Sequence, residues 1–278
     1  MIHRPKILVA LLTVLIAGEF CFAAAPVTRP TKSSDYVVLL HGLIRTSSAM
    51  KRLEWAFEEQ GYRVINITYP CTRLSIEDIA ASTLADILNE RIEDPTVKVH
   101  FVTHSLGGIV LREYLSNNPM SNLGRVVMIA PPNHGSELVD KFRKWPFFAF
   151  FTGPAGQQLG TATDSVPKRL GPAGFDLGVI AGDRTLNPFY SWFIPGPDDG
   201  KVSVASTKLE GMDDFMVVHY SHTYLPWRKE VIQASLQFVN EGWFAPVTAK
   251  PPVQLADSSP AAKETFKVSE SPKIQALR

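Results

Sequence analysis

The sequence predicts an α/β architecture, with a mostly parallel central sheet flanked by helices. From Asp35 onward, strand-like apolar runs alternate with apolar positions at helical spacing, the pattern that builds a parallel sheet covered on its faces. The first run, Tyr36 to Leu40, is continuously apolar. The composition is globular, since 45% of the 278 residues are hydrophobic and 20% are charged. That is enough to build one sizeable core.

The elements follow in order. Ser47 or Ser48 can cap a helix that buries Met50, Leu53 and Phe57, and Gly61 tolerates the left-handed conformation at its end. A strand is expected at 63–69. Ser75 and Asp78 resemble a capping box, and Ile76, Ile79, Leu84, Ile87 and Leu88 recur behind it at roughly helical spacing. A strand over Val99–His104 then leads into a helix beginning near Leu106, followed by a strand at 125–130. Between Pro131 and Gly174 the period fails, and the stretch from Trp145 to Phe151 is rich in aromatics. Residues 131–174 therefore read as a lid-like insertion over the sheet. Strands at 177–181 and 215–220 resume the pattern, and a last helix places Ile232, Leu236 and Val239 on one face.

The ends read differently from this domain at 35–244. Basic residues His3, Arg4 and Lys6 precede an apolar run from Ile7 to Ala17 and the small residues Ala23, Ala24 and Ala25. That is the order of a secretory signal peptide over 1–23, which predicts export to the periplasm or the medium. The other reading is an uncleaved anchor in the inner membrane, although the run is shorter than the ~20 residues that span comfortably. A Pro/Thr/Ser linker fills 24–34. Residues 245–278 gain Pro, Ser, Ala and Lys and lose apolar periodicity, which predicts a disordered tail. Loss of the signal would leave Cys71 as the only thiol. A formal net charge of +1 with no dense Lys/Arg block argues against nucleic acid as a partner.

The chemistry starts at the strand ending Phe101-Val102-Thr103-His104, which runs into Ser105-Leu106-Gly107-Gly108 and then a helix. Strand, sharp turn and helix are what a nucleophile elbow requires, with Ser105 at its tip. Gly107 lets strand and helix close up, and the first helical amides point toward the serine. Thr103 stands where the first glycine of G-x-S-x-G is expected, so the motif depends on its context.

That context begins with His41-Gly42-Leu43 after the first strand, which resembles the oxyanion-hole segment of α/β-hydrolases. The resemblance implies that the backbone amides of Leu43 and Leu106 hold the oxyanion. Losing one such donor costs roughly 3–4 kcal/mol in other systems. For His41 itself, a structural hydrogen bond that holds the loop is the preferred role.

Pro197-Asp198-Asp199-Gly200 arrives after the strand at 177–181, where this fold presents its acid. Asp199 is the choice, with Asp198 and Asp183 as rivals. An Asp-Gly pair also makes simple turns. Val218-His219-Tyr220-Ser221-His222 follows the last strand, and His222 falls at the strand exit where the base belongs. His219, inside the expected strand, reads as a partly buried structural residue. The order Ser105, Asp199, His222 is that of the α/β-hydrolases, not of the chymotrypsin or subtilisin types.

From Thr31 to about Phe244 the chain thus resembles the α/β-hydrolase fold, closest to bacterial lipase or esterase-like members with His-Ser-Leu-Gly-Gly elbows. The resemblance implies cleavage of small-molecule or lipid carboxylic esters through an acyl-enzyme on Ser105. It implies no metal and no organic cofactor. A thioesterase or acyltransferase would use the same triad, and a non-catalytic envelope or binding protein could share the fold. His104 is expected to point away from the nucleophile into the sheet, and His134 sits on a loop after a strand. Trp145, Phe147, Phe148, Phe150 and Phe151 admit two readings. They form either an acyl-binding wall that also meets a membrane surface, or simple packing of the insertion against the sheet.

Overall fold

The computed structural model describes residues 35–244; the signal, linker and tail expectations for 1–34 and 245–278 lie outside them. Six parallel strands form one sheet: β1 (Tyr36–Leu40), β2 (Arg63–Ile67), β3 (Val99–His104), β4 (Leu123–Ile129), β5 (Leu177–Gly182) and β6 (Asp214–Val218). Their spatial order is β2-β1-β3-β4-β5-β6. From β1 the chain crosses outward to β2, and from β3 it proceeds the other way. The adjacent C-terminal ends of β1 and β3 therefore flank the point where strand order reverses, and ligands bind at such points in open α/β sheets.

Alternation along each strand divides the core into two layers. Tyr36, Val38, Leu40 and Phe101 face the helical segment 76–91 and the helix Leu106–Asn117. Val37, Leu39, Val102 and Ile129 face the helices Lys51–Glu59 and Lys229–Glu241, which supply Leu53, Phe57 and Phe238. Both layers are dry, and each of these side chains is at most 2% exposed.

Several elements depart from their sequence expectations for visible reasons. The spacing over 76–91 is only roughly helical because a π-helical stretch, Ile79–Leu84, interrupts it. The five-residue step from Ile79 to Leu84 suits a π turn, and both side chains are fully buried. Ser75 does cap this segment, its hydroxyl accepting from the Asp78 amide at 3.0 Å. The second strand ends at Ile67, the fourth begins two residues early at Leu123, and the sixth ends at Val218.

The last helix buries Val231, Ala234, Ser235, Phe238 and Val239, while Ile232 and Leu236 are only partly buried. Phe238 decides that orientation. A Cβ at Gly178 of β5 would meet its ring at 2.6 Å, so the ring seats in the gap that the glycine leaves. The insertion at 131–174 is also largely helical, with Glu137–Phe142, Pro146–Gln157 and Val166–Arg169. The helix Pro146–Gln157 breaks at Gly153 (φ 64°) beside Pro154. Apolar residues lie all around its first turns, so no single face stands out by periodicity.

Phe238→Ala is expected to destabilise the protein by about 3–5 kcal/mol through the cavity it opens over Gly178; urea denaturation followed by circular dichroism measures it.

Candidate active site

The end of β3 sets the site. Ser105 has φ 54° and ψ −120°, a conformation that costs a non-glycine residue about 1–3 kcal/mol unless its surroundings enforce it. They do so with two backbone hydrogen bonds. The Ser105 amide donates to the Ile129 carbonyl at 2.8 Å, and the Gly108 amide donates to the Ser105 carbonyl at 3.0 Å. A side chain at Gly107 would place its Cβ 2.5 Å from the Leu40 carbonyl oxygen and 2.9 Å from that of His41. Glycine there lets the helix Leu106–Asn117 start directly against the end of β1. Thr103 packs against Gly108, where a Cβ would come within 3.3 Å of its hydroxyl oxygen, and that hydroxyl donates to the Val127 carbonyl at 3.4 Å.

The loop after β1 crosses in front of this turn. A Cβ on Gly42 would meet Ser105 Cβ at 3.2 Å and His104 Nδ1 at 3.0 Å, so the bare backbone allows the approach. His41 is wholly buried and holds the loop. Its Nε2 accepts from the Tyr69 amide at 3.3 Å, so Nδ1 carries the proton and donates to the Gly42 carbonyl at 2.8 Å. Tyr69 stacks on the imidazole with ring centroids 4.0 Å apart, and its hydroxyl donates to the His41 carbonyl. Burial lowers the His41 pKa, partly offset by the bond to Gly42. Tyr69 carried no signal in the sequence beyond ending an expected strand. Leu43 lies on this loop and lines the same cleft as Ser105, and Leu106 opens the helix.

The expected acid and base, Asp199 and His222, lie on the loops after β5 and β6. His222 Nδ1 donates to Asp199 Oδ2 at 2.7 Å, and the two residues are 4% and 2% exposed. The His222 amide also donates to the Asp199 carbonyl at 3.0 Å, so backbone and side chain fix the same pair. Asp199 Oδ1 accepts from the amides of Lys201 at 3.0 Å and Val202 at 2.9 Å. Turn-making and orientation of the imidazole are thus performed by one carboxylate.

The rivals are engaged elsewhere. Asp198 accepts from the Ser191 hydroxyl and the Gly200 amide, both at 2.7 Å. Asp183 pairs with His219 at 2.8 Å. His219 lies past the end of β6 with its side chain 86% exposed, not partly buried within a strand, because β6 stops at Val218. His104 also differs from expectation. It is buried under the site, its Nε2 donates to the His222 carbonyl at 3.1 Å, and its ring centroid lies 4.8 Å from that of His222. His134 is 3.4 Å from the Lys168 ammonium, away from Ser105.

Ser105 and His222 open into a cavity of about 450 Å3 lined by Leu43, Leu138, Phe142, Phe148, Phe151 and Tyr190, among others. Trp145, Phe147, Phe150 and Phe151 are exposed, the middle two at 77% and 79%. Only Phe148 packs inward against the core. A second aromatic segment, Phe189 to Phe193, faces the insertion, with Phe142 and Phe193 in edge contact at 5.7 Å. The sequence expectation did not single out this segment, although Phe189, Tyr190, Trp192 and Phe193 stand within five residues.

The site therefore gathers a serine on a strained turn, an imidazole fixed by a buried carboxylate, and an apolar cleft. Such a set can pass a proton from a hydroxyl to an imidazole while that hydroxyl attacks an acyl carbon. Among the described residues, no group of three His, Cys, Asp or Glu side chains is placed to hold a metal ion.

Comparison with known proteins agrees with this architecture. The model of the alpha/beta hydrolase family matches residues 37–261. The fold is similar to that of a Bacillus licheniformis lipase in its propeptide form, with a TM-score of 0.61 and 21% identity, covering 81% of this chain and 54% of that one. A phospholipase from Legionella pneumophila gives a TM-score of 0.57 and 20% identity over 68% of this chain and 53% of the other. A metagenomic carboxyl esterase gives 0.54 and 19% over 75% and 70%. The chain spans about half the length of the first two, and at these identities the likeness is one of fold. No curated protein sequence matches it.

Burial lowers the pKa values of His41, His100, His104 and His134. For His104, where the fall is largest, the charges of His222, Lys201 and Arg45 add to burial. The unfolded chain takes up protons at these residues as pH falls through the ordinary value of 6.5, and the folded chain does not. Their contribution is therefore complete above about pH 6.5 and declines as acid is added. The melting temperature is expected to drop between about pH 7.5 and about pH 5.5, and His104→Gln to flatten that slope; differential scanning calorimetry at both values checks it.

Proposed function

The chain belongs to the alpha/beta hydrolase family, and from that premise we propose that it is a serine hydrolase that cleaves carboxylic esters through an acyl-enzyme on Ser105. The observation that carries this reading is the buried 2.7 Å hydrogen bond from His222 to Asp199, made beside a serine held at φ 54° in the same cleft. His222 Nε2 takes the Ser105 proton as Oγ attacks the ester carbonyl. Asp199, acceptor-only when ionised, keeps the proton on Nδ1 and stabilises the imidazolium that forms. The developing oxyanion is held by the amides of Leu43 and Leu106. His222 then protonates the leaving alkoxide, and water activated by the same imidazole releases the acid.

The apolar cleft suits an acyl chain, and the exposed aromatics at its mouth suit contact with a lipid surface. Trp and Phe side chains are favoured at such surfaces. The structural neighbours are a lipase, a phospholipase and a carboxyl esterase, and ester cleavage is their shared chemistry.

Ser105→Ala is expected to abolish hydrolysis of p-nitrophenyl esters and labelling by a fluorophosphonate probe. Asp199→Asn is expected to lower kcat by roughly 10^3–10^4-fold through the wrong imidazole tautomer. Activity that survives Ser105→Ala unchanged would overturn the reading. On the exposed aromatic surface, where Phe150 is 79% and Trp192 87% exposed, Phe150→Ser with Trp192→Ser should reduce cosedimentation with phospholipid vesicles; equal cosedimentation of the variant and the native protein would refute the lipid-surface contact.

A further inference from the structure

Two cations flank the nucleophile. Arg45 lies on the loop after β1, four residues beyond His41, and Lys201 lies on the acid loop, two residues beyond Asp199. Both line a small crevice together with Gly42, Leu43, Ser105 and His222. This crevice shares Leu43, Ser105, Lys201 and His222 with the aromatic cleft, so the two spaces meet at the serine. Among the described residues, no hydrogen bond or ion pair engages the side chain of Arg45 or Lys201. Surrounding protein lowers the Lys201 pKa, and the charge of Arg45 lowers it further against the opposing pull of Asp199. Lys201 is exposed to solvent, and it and Arg45 face the same crevice beside Ser105.

Two cationic side chains that face one crevice with no hydrogen-bonded or ion-paired partner, and only the Asp199 carboxylate to offset them, leave a positive edge whose complement is a multivalent anion. A phosphate monoester carries about −1.5 to −2 charge near pH 7 and offers three acceptor oxygens. A carboxylate brings a single charge. We propose that Arg45 and Lys201 bind a phosphate monoester on the alcohol side of the scissile ester, so that the substrate is an acyl ester of a phosphate-bearing alcohol, such as a lysophosphatidic acid. The inference rests on the ester-hydrolase reading of Ser105 and adds its substrate class.

In the resulting pose the acyl chain lies in the aromatic cleft and the phosphate in the cationic crevice, with the ester carbonyl over Ser105. Ser105 Oγ bonds to the carbonyl carbon as its proton passes to His222. The bond from that carbon to the alcohol oxygen breaks, the oxygen takes the proton from His222, and the phosphorylated alcohol leaves. Water then adds to the acyl-enzyme and releases the fatty acid with Ser105 regenerated. The phosphate itself is not transferred.

The test compares two esters that differ only in the phosphate: a 1-acyl lysophosphatidic acid and the 1-monoacylglycerol of the same chain, each presented in neutral detergent micelles. Native protein is expected to show the higher kcat/KM on the phosphate ester. Arg45→Ala and Lys201→Ala should each lower the phosphate-to-neutral ratio by about tenfold, the loss expected for one charge-assisted contact. Glycerol 3-phosphate should inhibit p-nitrophenyl butyrate hydrolysis by the native protein more strongly than by the double variant. Equal kcat/KM on the two lipids, or a ratio that neither substitution moves, overturns the inference while hydrolysis of p-nitrophenyl butyrate by Ser105 keeps the esterase reading. Inorganic phosphate inhibiting as strongly as glycerol 3-phosphate would indicate a free-anion site and also overturns it. Absence of p-nitrophenyl butyrate hydrolysis overturns both.

Discussion

The backbone turn at Ser105 is the constraint on which the rest of the molecule depends. Its left-handed φ exists only because the strands on both sides of β3 hold it. The Ile129 carbonyl of β4 takes the Ser105 amide, and the carbonyls ending β1 press on Gly107. A parallel sheet in this order brings those groups to one level, since β1, β3 and β4 pair with their C-terminal ends together. The strain is therefore carried by main-chain contacts across three strands, which fixes the serine more firmly than side-chain packing alone would.

Around that fixed point the remaining chemistry is delivered by loops tied to each other. His41 and Tyr69 bind the loop after β1 to the chain after β2. Asp199 and His222 bind the loop after β5 to the loop after β6, through both side chain and backbone. His104, the residue before the serine, reaches the carbonyl of His222. Loops are ordinarily the mobile parts of a fold, and these cross-connections let residues far apart in sequence keep hydrogen-bond geometry. The cleft they border carries Ser105 and His222 beside a largely aromatic lining.

Much of this was legible in the chain. The alternation of strands and helices, the elbow around Ser105 and the serine, acid, histidine order rest on local signals: period, turn residues and short motifs. The sequence was less informative wherever a contact overrode a pattern. Phe238 turned the last helix to reach Gly178, and the π stretch at Ile79–Leu84 blurred the helical period. The insertion hid its helices because every position in the first turns of Pro146–Gln157 is apolar, which leaves no helical period to read. The end of β6 at Val218 moved His219 out into solvent.

By itself, the sequence determined the fold class and the set of residues from which a nucleophile, an acid and a base would be drawn, because those depend on local propensity and spacing. Only the tertiary structure decided which aspartate meets which histidine. Asp183, Asp198 and Asp199 are chemically alike, and what separates them is where three loops end in space. The same holds for Arg45 and Lys201, 156 positions apart in the chain, whose meeting beside Ser105 follows from the parallel register of the sheet and from nothing in either residue's neighbours in sequence.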